Sequence, residues 1–330
     1  MTVPVLSVRN LRVEFPTRRG TLVAVDDVSF DIAPGEVLGV VGESGAGKSL
    51  TASAVIGLIE PPGRIANGEI ALRGLRIDNL DDEAMRRIRG KRIGMVFQDP
   101  LTSLNPLYRI GDQLVETITT HTNLGAAAAR EKAIALLAEV GIPAPKARFD
   151  AYPHQFSGGM RQRVVLALAL CAGPELVIAD EPTTALDVSV QAQIIALIKR
   201  LCRQHGAAVM LITHDMGVIA ETADRVAVMY AGRIAEIGPV RDVVRGPHHP
   251  YTKGLMGSIP SLASDAERLT QIPGTMPRLT AIPQGCAFHP RCPSAFARCN
   301  VERPELLPVE NSGVACWLYD KMPVAAAAAP

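Results

Sequence analysis

The sequence predicts an α/β fold built around a parallel sheet, and two patterns along the chain indicate this class. Short apolar runs at 37–41, 93–97 and 176–179 have the length and composition of buried strands. Longer segments between such runs, most clearly 188–205, place apolar residues at helical spacing. Alternation of strands with helices is typical of a sheet whose parallel strands are connected by helices.

A helical block at about 98–172 interrupts this alternation. Within it, 110–140 and 160–172 are rich in Ala and Leu, which favour helix. Strands return after the block, at 209–212 and 225–230. We therefore expect a helical subdomain inserted into the α/β core.

The chain divides into two predicted parts, in agreement with a length prior of roughly 150 residues per domain. Residues 1–245 hold the α/β core and begin with strands over 3–41, the first of which we expect to form an antiparallel β subdomain. Prolines become frequent after residue 245, and four cysteines follow. Residues 246–330 are therefore predicted to be a C-terminal extension, with 322–330 as a disordered tail.

Composition and charge exclude several classes of protein. The 34 Lys and Arg residues are balanced by 33 Asp and Glu, so the net charge of +1 argues against a dedicated nucleic-acid binder. No stretch approaches the ~20 apolar residues that span a bilayer. The first residues lack the basic and apolar regions of a signal peptide. We expect a cytoplasmic protein whose contact with a membrane, if it has one, comes through a partner.

A phosphate-binding loop follows the predicted strand at 37–41. Residues 42–49, Gly-Glu-Ser-Gly-Ala-Gly-Lys-Ser, match G-x-x-x-x-G-K-[ST], and a helix is predicted to begin near Lys48. Lys48 is expected to reach the β- and γ-phosphates of ATP, and Ser49 to bind Mg²⁺. The predicted nucleotide contacts are Gly42, Ser44, Gly45, Gly47, Lys48 and Ser49.

A pair of acidic residues ends the apolar run at 176–179. Asp180 is expected to hold Mg²⁺, directly or through water, because a buried strand delivers it to the polar edge of the sheet. Glu181 follows and can polarise the attacking water as a general base. An apolar strand that ends in Asp-Glu is weak evidence alone, but it becomes informative after a phosphate loop.

The segment Phe156-Ser157-Gly158-Gly159-Met160 resembles the signature of ABC ATPases, usually written Leu-Ser-Gly-Gly-Gln. It departs from that pattern at its first and last positions and keeps the central Ser-Gly-Gly. The resemblance implies that Ser157, Gly158 and Gly159 act on the γ-phosphate of the nucleotide held by the other subunit of a dimer.

Further segments match this family in order along about residues 5–245. The resemblance implies that Gln98 senses Mg²⁺ and the transporter interface, and that His214 contacts the γ-phosphate. Ala185-Leu186-Asp187 resembles the family's D-loop, which brings Asp187 near the nucleotide. Phe15 is the best candidate for an aromatic that stacks on adenine, although an aromatic residue at the end of a strand also suits a core.

Two segments resemble the ATP-binding subunits of dipeptide and oligopeptide importers. One is 247–255, which contains His-Pro-Tyr-Thr, and the other is 98–106. The resemblance implies two membrane permease subunits, a second ATPase subunit in a heterodimer rather than a homodimer, an extracytoplasmic substrate-binding protein, and a peripheral place on the cytoplasmic face of the inner membrane. Nickel, glutathione and murein peptides are alternative cargoes in the same subfamily. A non-transport ABC ATPase is a more distant alternative, but sustained heptads and a second phosphate loop are absent from the sequence.

Four cysteines in the extension, Cys286, Cys292, Cys299 and Cys316, suggest a metal or cofactor site in a reducing compartment. Their spacing lacks the close C-x₂₋₄-C pairs of most structural zinc sites. It favours a four-iron, four-sulfur cluster (4Fe-4S), which the family resemblance also implies. Zn²⁺ and unligated thiols remain alternatives.

Overall fold

Two β-sheets organise the chain in the computed structural model, which describes residues 3–183, 187–258 and 271–320. The strands of the described part, in chain order, are β1 (Leu6–Thr17), β2 (Gly20–Ile32), β3 (Val37–Val41), β4 (Arg64–Leu72), β5 (Leu75–Arg76), β6 (Ile93–Val96), β7 (Leu176–Asp180), β8 (Ala208–Ile212), β9 (Arg225–Tyr230), β10 (Arg233–Pro239), β11 (Leu307–Val309) and β12 (Ser312–Val314).

Helices connect strands of the larger sheet and form the inserted block. Those of the described residues are α1 (Lys48–Val55), α2 (Asp82–Ile88), α3 (Pro100–Ser103), α4 (Ile110–His121), α5 (Ala126–Glu139), α6 (Pro145–Arg148), α7 (Gly158–Leu170), α8 (Val188–His205), α9 (Met216–Thr222), α10 (Val240–Arg245), α11 (Pro250–Gly257) and α12 (Ala297–Val301). In this part of the chain, no helix combines the length and the apolar character that a membrane crossing requires.

The larger sheet carries the predicted parallel core. Its order is β11-β12-β10-β9-β3-β8-β7-β6, and the neighbours from β9 to β6 all run parallel. Both faces are covered, as parallel sheets require. Along β3, Val37 and Val41 join the core beneath the helical block, whereas Leu38 and Val40 face the opposite core.

The smaller sheet is the expected antiparallel subdomain, with the order β2-β1-β4-β5. Alternate residues of β1, including Leu6, Val8 and Val13, are fully buried against the second core. The α/β class, the antiparallel subdomain and the inserted helices predicted from the sequence are therefore confirmed.

The helical block differs from its predicted outline at one point. The single helical region expected over 110–140 is two helices, α4 and α5, separated at 122–125. The backbone of Thr122 is extended, and Gly125 is extended where α5 begins. Gly111 permits the close packing of α4, because a Cβ there would lie 2.2 Å from the ring of Phe149.

The C-terminal extension continues the larger sheet, which the sequence did not predict. Glu236 and Ile237 of β10 pair with Val314 and Gly313 of β12. Glu236 is fully buried, and its carboxylate accepts hydrogen bonds of 2.9 Å from the backbone N–H groups of His248 and His249. The residues just before α11 are thereby fixed to β10 of the larger sheet.

Replacing Glu236 should loosen this junction. Glu236→Ala leaves two N–H groups without their acceptor, so we expect a loss of about 1–3 kcal/mol in the free energy of unfolding. The measurement is the urea midpoint of the full chain. Glu310→Ala is the matched control, since that carboxylate is exposed and should shift the midpoint little. Equal midpoints for both variants would contradict this account of the junction.

Candidate active site

A glycine-rich loop connects the carboxyl end of β3 to the start of α1. Gly42 has a φ of 151°, and a Cβ there would lie 2.3 Å from the carbonyl oxygen of Met229. Gly47, with a φ of 98°, immediately precedes α1. The N–H groups that open α1 therefore face the loop, as in sites that hold phosphate at a helix N-terminus.

Lys48 is buried beneath this loop, with 5% of its surface exposed. Its Nζ donates to the carbonyl oxygens of Gly42 at 2.8 Å and Glu43 at 3.1 Å. Burial lowers the pKa of the Lys48 ammonium, and nearby carboxylates, led by Glu181, oppose that shift. The ammonium is thus held on loop carbonyls, where an anionic phosphate would be a stronger partner.

Ser49 and Asp180 meet across the loop. The Ser49 hydroxyl donates to Oδ1 of Asp180 at 3.0 Å, although the two residues are 131 positions apart. Burial raises the pKa of the Asp180 carboxyl, and the hydrogen bond from Ser49 opposes that shift. A hydroxyl and a carboxylate at this distance form an oxygen pair of the kind that Mg²⁺ prefers.

Glu181 lies next along the chain and connects three strand ends. Its N–H donates to the carbonyl of Ile212 at 2.9 Å, and its φ of 44° is uncommon for a residue other than glycine. Gln98 donates to one carboxylate oxygen at 3.2 Å, and Nδ1 of His214 lies 3.6 Å from the other. The carboxylate is therefore aimed into the same space as Lys48.

Most of these residues line one cleft of about 600 Å³, a volume that suits a small-molecule ligand. Gly42 and Asp180 are not in its lining, but they contact Lys48 and Ser49, which are. The structure brings together the predicted Ser44, Gly45, Gly47, Lys48, Ser49, Gln98, Glu181 and His214. Ala24 of β2 and Leu279 of the extension also line it, and the sequence indicated neither.

Phe15 is not brought to this cleft. Its ring lies against Gly63, where a Cβ would come within 2.6 Å of the Phe15 ring. The side chain packs on the core beneath the antiparallel sheet. A core role, which the sequence left open, agrees with this position.

Ser157, Gly158 and Gly159 are also absent from the cleft. Ser157 caps α7 by accepting from the N–H of Met160 at 3.4 Å, and both Ser157 and Gly158 are exposed. Phe156, before them, is buried in the core. The segment is thus anchored and presented to solvent, away from the chain's own phosphate loop.

The predicted D-loop is only partly described. Ala185 and Leu186 lie outside the described residues, and Asp187 precedes α8 at an exposed position. The structure does not place Asp187 among the residues of the cleft.

The four cysteines of the extension line one small cavity, together with Phe288, His289 and Trp317. All four are free thiols, and Cys299 and Cys316 are buried. The amide of Cys286 donates to the carbonyl of Cys299 at 2.9 Å, which joins two of the thiol-bearing segments. Within the described residues, no three His, Cys, Asp or Glu side chains form a group that could hold a single metal ion as they stand.

Burial and hydrogen bonds act on these thiols in opposite directions. Burial raises the pKa of Cys286 to about 11 and also raises those of Cys292 and Cys316. For each of the three, a backbone hydrogen bond from the residue two positions later lowers the pKa. Cys171 and Cys202 are buried in the core beneath the helical block.

Two parts of the chain match known protein families. Residues 25–184 match the ABC transporter family, and residues 235–299 match the C-terminal region of oligopeptide and dipeptide transporters. A solved dimeric ATP-binding cassette in a post-hydrolysis state, bound to ADP and phosphate, superposes with a TM-score of 0.64 at 26% identity. It covers 72% of this chain and 99% of its own.

The fold and the cleft are those of an ABC ATPase. The dipeptide transport ATP-binding protein DppD of Bacillus subtilis is 50% identical over 96% of this chain and 95% of its own length. The oligopeptide transport ATP-binding protein OppD of Escherichia coli is 48% identical over 91% of this chain and 88% of its own length. The chain belongs to the ATP-binding subunits of ABC transporters, in the branch that contains these two proteins.

The position of Asp180 predicts how Mg²⁺ affects nucleotide binding. Asp180→Asn keeps an acceptor for Ser49 but removes the negative charge, so Mg²⁺ should no longer improve ATP affinity. We expect the Kd for ATP to rise about tenfold with Mg²⁺ present and to change little in EDTA. Titration calorimetry of both states measures this, with Asp150→Asn as the control on the exposed surface of the helical block. A variant that still responds to Mg²⁺ as the parent does would exclude this role for Asp180.

Proposed function

We propose that the chain is the ATP-hydrolysing subunit of an importer for dipeptides or oligopeptides. The observation that carries the proposal is the cleft lined by Lys48, Ser49 and Glu181, with Asp180 hydrogen-bonded to Ser49 next to it. The match of residues 235–299 to oligopeptide and dipeptide transporters supports the peptide cargo. The two relatives, a dipeptide and an oligopeptide transport ATP-binding protein, support it as well.

In the proposed reaction, the loop amides and Lys48 bind the phosphates of ATP. Ser49 and Asp180 would hold Mg²⁺ through their oxygens, and Gln98, which contacts Glu181, would lie on the same side of the cleft. Glu181 orients a water molecule and accepts its proton as that water attacks the γ-phosphorus. His214, next to the Glu181 carboxylate, is placed to donate a hydrogen bond to the γ-phosphate.

The second half of each site comes from another subunit in this proposal. Ser157 and Gly158 are exposed at the N-terminus of α7, a 13-residue helix, and do not line the chain's own cleft. In a head-to-tail dimer, that helix end would supply N–H groups and a favourable dipole to the partner's γ-phosphate. We propose a heterodimer with a second ATPase subunit, in which Asp187 also lies at the interface.

Contact with the membrane is proposed to come through two permease subunits at the cytoplasmic face. Phe97, Leu107 and Tyr108 are large side chains with 44%, 81% and 57% exposure beside Gln98 and α3. Exposed apolar residues next to a nucleotide-sensing glutamine suit the docking of a permease helix. An extracytoplasmic protein would select the peptide, and the ATPase part is proposed to end near residue 245.

Replacing Glu181 tests the catalytic assignment. Glu181→Gln keeps the hydrogen-bonding shape but removes the base, so phosphate release and peptide uptake should fall at least about 100-fold. The Kd for ATP should stay within about twofold, because the phosphate contacts remain. The assay uses proteoliposomes that contain both permease subunits and both ATPase subunits, supplied with the binding protein and peptide.

Glu139→Gln is the control. The Glu139 carboxylate lies on α5 of the helical block, pairs with His205 of α8, and is not part of the cleft. The substitution should leave both rates unchanged. Parental turnover by Glu181→Gln would remove Glu181 from the mechanism. ATP turnover that never responds to peptide would overturn the proposed cargo instead.

We further propose that Cys286, Cys292, Cys299 and Cys316 hold a 4Fe-4S cluster. The donor set fits, because it is four thiols around one cavity, three of them hydrogen-bonded by backbone amides that favour the thiolate form. A 4Fe-4S cluster would bind each of the four sulfurs through a different iron. Such a group would staple a segment that has little apolar core of its own.

Metal analysis tests this assignment. Protein purified without oxygen should contain about four irons and four acid-labile sulfides per chain, with a broad visible absorbance. Cys292→Ser should lose that absorbance, whereas Cys171→Ala, a core thiol outside the cavity, should keep it. One zinc per chain without iron would contradict the cluster and show instead that the four cysteines form a structural zinc site.

A further inference from the structure

The C-terminal extension contacts the phosphate loop through one buried arginine. Nη1 of Arg291 lies 3.0 and 3.1 Å from the two carboxylate oxygens of Glu43, which is the second residue of the loop. The two residues are 248 positions apart. The Arg291 side chain is 8% exposed and that of Glu43 is 29% exposed, so this ion pair is partly shielded from water and salt.

Glu43 is held at its backbone as well as at its side chain. Its N–H donates to the hydroxyl of Tyr251 at 2.9 Å, and its carbonyl accepts from Lys48 at 3.1 Å. Tyr251 is fully buried and belongs to α11, at the start of the extension. The extension therefore fixes Glu43, whose carbonyl also binds Lys48 of the loop.

Arg291 is itself held firmly in place. Its Nε donates to the carbonyl of Pro273 at 2.8 Å, and Nη2 reaches the carbonyl of Gly274 at 3.4 Å. The guanidinium also lies 5.8 Å from the ring centre of Tyr230 and 5.9 Å from that of Phe288. Because the guanidinium is held on several sides, the Arg291 side chain loses little further conformational entropy when it binds Glu43, and it can hold the loop in one position.

We propose that Arg291 is a positioning residue for ATP binding, which holds Glu43 in place and neutralises its charge beside the phosphates. This inference rests on the proposed function, since it takes residues 42–49 to be the phosphate site. An unpaired Glu43 carboxylate would repel the nucleotide's phosphates, because Glu43 is in contact with Lys48 and its charge acts on that ammonium in a partly desolvated place. The extension is thereby part of the ATP site, although none of its four cysteines lines the cleft.

A residue that only attached the extension to the core would not affect ATP binding when it is replaced. A second ion pair between the extension and the core provides this comparison. Arg303, also in the extension, forms an ion pair with Asp26 of β2 without touching the phosphate loop. Losing Arg303 should weaken the attachment of the extension but leave the charge around the phosphates unchanged. Arg303→Ala is therefore the matched control for Arg291→Ala.

The experiment measures the Kd of Mg-ATP and the thermal midpoint for full-length variants. Arg291→Ala should raise the Kd about 10- to 100-fold, as expected when one member of a buried charge pair is removed. Glu43→Gln should change it less than about threefold, because Gln still accepts a hydrogen bond from Arg291. Arg291→Ala combined with Glu43→Gln should regain most of the lost affinity, since the repelling charge is gone.

The outcomes separate the two proposals. If the parent chain does not bind ATP, the proposed function fails. If the parent binds ATP but Arg291→Ala binds it equally well, or if Arg303→Ala raises the Kd as much as Arg291→Ala does, the positioning role fails. The positioning role also fails if Glu43→Gln restores no ATP affinity in the Arg291→Ala background. If Arg291→Ala does not fold, Arg291→Lys takes its place, and a folded Arg291→Lys variant that keeps the parent's Kd for Mg-ATP likewise contradicts the role.

Discussion

Parallel pairing of β3, β6, β7 and β8 is the constraint on which the site depends. Their carboxyl ends meet at one edge of the sheet, and each end delivers a different group there. β3 leads into the phosphate loop, β7 ends in Asp180, and Gln98 and His214 follow β6 and β8. A register shift in any one pair would move a group by a residue spacing, so the buried apolar faces that fix the register also fix the chemistry.

Most of the fold and cleft could be predicted because they depend on local patterns. The strand at 37–41, the loop at 42–49 and the helix at 188–205 are each specified by neighbouring residues, whose apolar spacing or glycines allow few conformations. Chain order then places the loop and Asp180 on one edge. Phe15 shows the limit of such patterns, since an aromatic at a strand end can face a ligand or a core with the same neighbours.

The features that the sequence did not reveal are those that join distant segments. Nothing near Glu43 indicates that Arg291 will meet it, and a lone glutamate in a loop is usually solvated. Leu279 reaches the cleft, and β12 pairs with β10, only because the extension folds back onto the core. The break between α4 and α5 was missed for a different reason: alanine-rich composition continues on both sides of it, and only the extended backbone at Thr122 and Gly125 interrupts the helix.

The β11–β12 hairpin has a consequence for how this ATPase can be divided. Without it, β10 would become the edge strand of a six-stranded sheet, with free N–H and C=O groups along Glu236 and Ile237. Such a margin can recruit strands from other molecules and so promotes self-association. An ATPase domain truncated at residue 245 would therefore differ from the same domain in the full chain. It would have an unpaired edge strand that promotes association, and Glu236, which is buried in the full chain, would be exposed to water.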